Sequence, residues 1–234
     1  MKHFLFIAFI FATTALSAQI SLKKLKSAIK GESVSTEEVA AGLKEALTNG
    51  VSKGSDLASQ VDGYFKNQEI KIPFPPDVKQ VETKLRAIGM GTQVDKFIES
   101  LNRGAEDAAK EAKPIFVSAV KQMTIQDAWS ILRGEQDAAT QYLKKTTTGE
   151  LTGKFMPIIK KSLEKVNATK YYSELVTTYN KIPLVQKVNP NLDEYATDKA
   201  IDGLFILVAK EEKNIRDNPA ARTSDLLKKV FSAK

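Results

Sequence analysis

The sequence predicts an all-α fold, a single domain of eight or nine helices with one short extended proline-rich strap, and three features carry that prediction. Capping pairs recur along the chain: Ser35 with Glu38, Thr92 with Asp95, Thr124 with Asp127, Thr147 with Glu150 and Asn191 with Glu194. Between them apolar residues return at spacings of three and four, the period of a helix with one buried face. Residues 70–76, IKIPFPP, are the clear exception, because three prolines in four residues forbid a helix interior while Ile70, Ile72 and Phe74 alternate as one face of an extended segment. Such a segment serves either as a connector laid across the helices or as a surface strand that pairs with a partner.

Taken in order, residues 1–18 have the layout of a secretory signal: Lys2, an apolar run from Phe4 to Ala12, and small residues at Ser17 and Ala18, with cleavage expected before Gln19. That run is too short to span a bilayer, and no later stretch approaches the length required. Residues 19–34 form a basic arm holding Lys23, Lys24, Lys26 and Lys30, and residues 35–234 form the helical domain. Its first helix carries Val39, Leu43, Ala46 and Leu47, passes Gly50 and Gly54 with at most a short break, and resumes its stripe at Leu57, Ala58 and Val61. After the strap, Pro75 and Pro76 open a helix with Val78, Val81, Leu85 and Ile88, which Gly89 and Gly91 end. The next shows Val94, Phe97, Ile98 and Leu101, then the small-residue run RGAEDAAKEAK that suits close helix packing, and Pro114 restarts the chain.

Residues 121–151 are expected to be the centre of the domain. Thr124 caps a helix whose stripe is Ile125, Ala128, Trp129 and Leu132, Gly134 supplies a left-handed stop, a second helix carries Ala138, Ala139, Tyr142 and Leu143, and Thr147 opens a third that kinks at Pro157. Asn167 ends that helix, a shorter one holds Tyr171, Tyr172, Leu175 and Tyr179, and Asn191 caps a long helix to about Asp217 whose middle, LFILVA, is apolar nearly all round. Ser224 caps a terminal helix.

The chemistry is bounded by what is missing. His3 is the single histidine and leaves with the signal, and there is no cysteine, so Ser-His-Asp triads, cysteine nucleophiles and the usual zinc, haem and copper ligand sets are excluded. No cofactor and no metal is expected, and no glycine-rich phosphate loop or nucleophile elbow is present. Of 35 basic residues Lys2 leaves with the signal, so 34 face 28 acidic ones. The excess gathers in the arm, in Lys154, Lys160, Lys161 and Lys165, and in Lys228, Lys229 and Lys234, clusters that either attract anionic headgroups and polymers or are solvated helix faces. Nucleic acid is not an expected partner, since no groove-reading motif is visible.

Two polar constellations survive. Asp198 and Asp202 lie one turn apart with Glu212 and Arg216 further along the same helix, and Asp127 and Asp137 flank the Gly134 turn with Thr140, Tyr142 and Lys145 nearby. Paired carboxylates serve as acid and base in glycoside cleavage or bind calcium, for which no calcium loop is present; their structural role is to cap helices and pair with lysine or arginine.

The segments GLKEALTNG, IKIPFPP, LRAIGMG, LNRGAEDAA, DAATQYLKKTT and DKAIDGLFILVAKEEKNIRDNP occur in an order that resembles the bacterial domain of unknown function family 4197, from about Glu38 to Phe231, with Gln68 where family members are expected to carry proline. The resemblance implies an exported helical protein and supplies no activity. Asp127, Asp137, Thr140, Tyr142, Lys145, Asp198, Asp202, Glu212 and Arg216 lie in the runs most characteristic of the family and form the candidate binding cluster; no catalytic residue is assigned. Three functions follow as expectations. The first is an exported periplasmic or extracellular binding or scaffold module for an envelope protein or an apolar ligand, with a groove rimmed by Tyr171, Tyr172 and Tyr179. The second is a carboxylate-dependent hydrolase of envelope glycans, and the third is weak attachment to anionic membrane through the arm.

Overall fold

The chain enters α1, Thr36–Ser59, directly after Ser35, and the helix runs unbroken past Gly50 and Gly54. Residues 35–165, 167–181, 183–184 and 187–232 are described by the computed structural model; the expected signal, the basic arm and Lys234 lie outside the described residues, as do the side chains of Leu175 and Tyr179. A turn through Gly63 leads to the strap, whose Ile70, Ile72 and Phe74 are all buried. A 3-10 turn at Pro76–Val78 feeds α2, Lys79–Ala87, and Gly89 at φ +86° reverses the chain into α3, Gly91–Ala109. Then follow α4, Ala112–Gln122, and α5, Ile125–Arg133, the latter opened by the predicted Thr124–Asp127 capping box. The remaining helices are α6, Ala138–Glu164, α7, Ala168–Tyr179, α8, Leu192–Asp217, and α9, Asp225–Ser232. The described residues thus hold nine α-helices and no strand, an all-α fold.

Four long helices make the core. α3 packs on α6, α6 on α8, α8 on α1 and α1 on α3, with α4 and α5 wedged against α1 and α6, and α9 closing over α1. Phe116 of α4 meets Phe205 of α8 edge-on at 5.6 Å. Backbones approach closely wherever a glycine faces a neighbour: a Cβ on Gly50 or Gly54 of α1 would touch α8 at 3.5 Å, and one on Gly104 of α3 would stand 3.2 Å from Ser162 of α6. The small residues of α3 therefore do what their size suggests, letting α6 lie directly against them.

Several local expectations give way to tertiary context. Thr147 opens no third helix: α6 is continuous, and the Thr147 hydroxyl donates back to the Leu143 carbonyl at 2.6 Å. A Ser/Thr-x-x-Glu pattern reads the same inside a helix as at its start, and burial of Leu143, Thr147, Leu151, Phe155, Ile159 and Leu163 keeps this one helical throughout. Thr147→Val is accordingly expected to cost less than about 1 kcal/mol in chemical unfolding, whereas loss of a true cap costs about that or more. Gly134 is extended at φ −78°, ψ −173°, and glycine is required for space instead, since a Cβ would fall 2.8 Å from both Ala138 Cβ and the Ser130 carbonyl. Thr92 sits inside the first turn of α3 and Met90 takes the cap position. Trp129 is half-buried and Ile125 exposed, because α5 turns Ala128, Ile131 and Leu132 inward, while the Arg133 guanidinium covers the Trp129 ring at 4.6 Å. Leu57 and Val61 do not continue the α1 stripe: the helix ends at Ser59, and Asp62 at φ 71° breaks its phase, leaving Val61 80% exposed. Ile88 is likewise 71% exposed, at the end of a helix packed mainly on α3 and the preceding 3-10 turn.

The buried stripe of α6 recurs every fourth residue, and the ridge opposite it, Lys145, Gly149, Gly153, Pro157 and Lys161, faces solvent. A Cβ on Gly149 or Gly153 would meet nothing within 4 Å. Each of these glycines costs roughly 1 kcal/mol of helix propensity relative to alanine, a cost that no contact among the described residues requires.

Candidate functional site

Where the strap crosses α8, the chain builds an open cleft of about 460 Å³ between the strap, the first turns of α6 and the middle of α8. Its position follows from three buried contacts. A Cβ on Gly203 would stand 2.8 Å from Tyr64 Cε1 and 3.0 Å from Ile70 Cβ, so only glycine lets the strap lie on the α8 backbone. Asn102 of α3 accepts from Ile72 N at 2.8 Å and donates to Ile72 O at 2.9 Å, pairing with the strap as a neighbouring strand would. The Tyr64 hydroxyl donates to the Ala200 carbonyl at 2.6 Å, and burial, followed by the nearby Glu106 carboxylate, holds that phenol protonated far above its ordinary range. Pro73 offers no N–H, and its carbonyl accepts from the Tyr195 hydroxyl at 3.3 Å. These contacts fit a connector better than a strand open for pairing.

The apolar part of the lining is buried Ile70, Ile72 and Phe205 with exposed Ile206, and the rest carries both signs of charge. Lys199 and Lys144 approach the Asp202 carboxylate at 3.5 and 3.9 Å, and Gln141 Nε2 donates to Asp137 at 2.9 Å. Lys71 makes no ion pair among the described residues and lies 4.6 Å above the Phe65 ring. Ile206 is 45% exposed in a run where Leu204, Phe205, Leu207 and Val208 are all buried.

Behind the cleft a buried node joins three helices. Glu212 of α8 accepts from Ala139 N at 3.0 Å and from Thr140 N and Oγ1 at 2.8 Å, which caps the start of α6 from another helix. Arg216 donates to Glu212 Oε1 through Nε and Nη2, and Nη2 also reaches the Ile131 carbonyl at 2.9 Å, at the end of α5. One buried ion pair thus closes the Gly134 reversal from both sides.

The cleft and this node lie in the segments that carried the family resemblance, and a family model described as Protein of unknown function (DUF4197) matches residues 33–232. The chain belongs to this family. No curated protein and no solved structure matches it.

The candidate residues of this DUF4197 chain fall in separate places. Asp137, Thr140 and Asp202 line the cleft, and Glu212 and Arg216 lie behind it, tied to it through Thr140. Asp127, Tyr142 and Lys145 form a second group: hydrogen bonds from the Thr124 hydroxyl and backbone hold the Asp127 carboxyl below its usual range, with Lys145 and Lys44 contributing, while loss of solvent and then Asp127 raise the Tyr142 phenol. Asp198 stands apart, its carboxyl raised first by loss of solvent and then by Glu194 and Asp202. Tyr171 is exposed and Tyr172 buried, and neither lines the cleft. Sequence reasoning missed Asn102, Lys71, Gln141, Lys144, Lys199 and Ile206. Lys199 and Asp202 carried a signal in their three-residue spacing, but Ile206 carried none, since an all-apolar run reads as wholly buried.

Proposed function

We propose that this DUF4197 protein is an exported, non-catalytic binding module whose cleft receives an exposed segment of an envelope protein. The observation that supports it is Ile206, an apolar side chain left 45% exposed in a cleft lined by charges of both signs. An exposed apolar side chain among mixed charges suits a peptide segment, which offers one apolar side chain together with polar backbone, better than it suits an oily ligand, which needs enclosure. Export rests on the three-part layout of the first eighteen residues, and no described helix is long and apolar enough to cross a membrane. The hydrolase alternative draws on Asp137 and Asp202 lining one cleft, yet both stand exposed and Asp202 lies between two lysines, without the apolar surround that equips a carboxylic acid to donate a proton.

A photoreactive amino acid placed at Ile206, in the full chain expressed in its own host, tests the reading. Irradiation is expected to give one discrete protein adduct, lost when Asp202→Lys reverses a charge of the lining. An adduct pattern identical to that from the equally exposed Ile125, or none at all, overturns it.

A further inference from the structure

α6 presents a second surface, on the side away from its buried stripe. Lys154, Lys160, Lys161 and Lys165 form no ion pair among the described residues, although Glu150 and Glu164 stand on the same helix. Between these lysines and Lys145 the ridge drops to Gly149 and Gly153, where an added Cβ would meet nothing within 4 Å. The same molecule shows what the glycines inside its helices do elsewhere, Gly91 at the first position of α3 apart: at Gly42, Gly50, Gly54, Gly104 and Gly203 an added Cβ would lie within 3.5 Å of another segment of the chain. Gly149 and Gly153 have the form of a helix-contact groove that no segment of the described fold fills, and the lysines beside it set the sign of what fits.

We infer that the outer face of α6 docks an acidic helix of a partner protein, its backbone close against Gly149 and Gly153 and its carboxylates reaching the flanking lysines. Charge complementarity selects the occupant. A second copy of this chain would bring lysines against lysines, and a lipid surface would use the lysines but gain nothing from a groove. None of the large exposed apolar side chains belongs to α6, which leaves no wedge for a bilayer. A helix that packs into a small-residue groove gains contact area, and its acids form the pairs that α6 leaves unmade. This inference is independent of the cleft.

The test uses the full chain, a fluorescent helical peptide rich in glutamate and alanine, and vesicles rich in anionic phosphatidylglycerol. Anisotropy is expected to show peptide binding that weakens steeply with salt. Gly153→Leu is expected to lower the affinity about tenfold while leaving net charge in place and raising the melting temperature slightly, and Lys154→Glu with Lys161→Glu to lower it at least as far. Ile206→Glu should leave it unchanged. Failure of the peptide to bind, or binding indifferent to Gly153→Leu, overturns the inference. So does partitioning onto the vesicles that exceeds peptide binding and ignores Gly153→Leu, which would assign the lysines to a membrane surface.

Discussion

Glu212→Ala is expected to destabilise the fold more than any other single change in the polar cluster, by about 3–5 kcal/mol in urea unfolding. The carboxylate does two things that no neighbour can take over. It accepts from Ala139 N and from Thr140 N and Oγ1, donors at the start of α6 that are buried and have no water to turn to. It also neutralises Arg216, whose side chain is 4% exposed and whose charge would otherwise stand alone in the interior. Glu212→Gln keeps an acceptor for α6 but removes the charge, so it is expected to lie between wild type and alanine. Replacing both residues with leucine should recover part of the loss by removing the stranded charge, though not all of it, because both helix ends remain uncapped. Trp129 sits near this node and reports unfolding by fluorescence. A Glu212→Ala cost below about 1 kcal/mol would mean that solvent reaches the node, contrary to its burial.

The second large effect is expected at Asn102, where alanine should cost about 2–4 kcal/mol, since it strands both Ile72 N and Ile72 O in a buried site. Asn102→Asp separates the two halves of the interaction: a carboxylate still accepts from Ile72 N but repels Ile72 O, so it should not rescue. The loss is also expected to be local. Hydrogen exchange at the Ile72 amide should rise far more than at the amides of α1 and α8, which lose only the global loss of about 2–4 kcal/mol, because Asn102 holds the strap and the helices hold each other. A loosened strap displaces the apolar part of the cleft lining, so the Ile206 adduct should weaken with it. Uniform loss of protection across the helices would show instead that the strap supports the whole core.

The helices and most of their boundaries were legible because they rest on contacts within a few residues. Thr124 with Asp127, Asn191 with Glu194 and Ser224 with Leu227 each satisfy helix-start donors from the next turn, so spacing alone locates them. The strap was legible for the same reason, since proline chemistry and alternation are both local. Thr147 and Gly134 misled because their local signals have two outcomes: a hydroxyl three residues before a glutamate also occurs inside helices, and a glycine is needed for space as well as for a left-handed turn. Ile88 and Val61 carried the right period, but period names a face without naming a neighbour.

The candidate cluster shows the same boundary. Its members were selected as polar residues in characteristic runs, and the fold distributes them among an exposed cleft wall, a buried node and a helix cap. What the sequence by itself determined was the all-α class, the order of the helices, the extended strap and the absence of histidine and cysteine from the part expected to mature. Tertiary structure alone decided that Asn102 would act as the neighbouring strand of the strap, that Glu212 would cap a helix more than seventy residues away, and that Ile206 would be left in solvent while its neighbours were buried. Caps and periodicity are set by bonds between residues a turn apart, whereas burial and long-range pairing depend on which faces meet, and that is settled only when all the helices pack together.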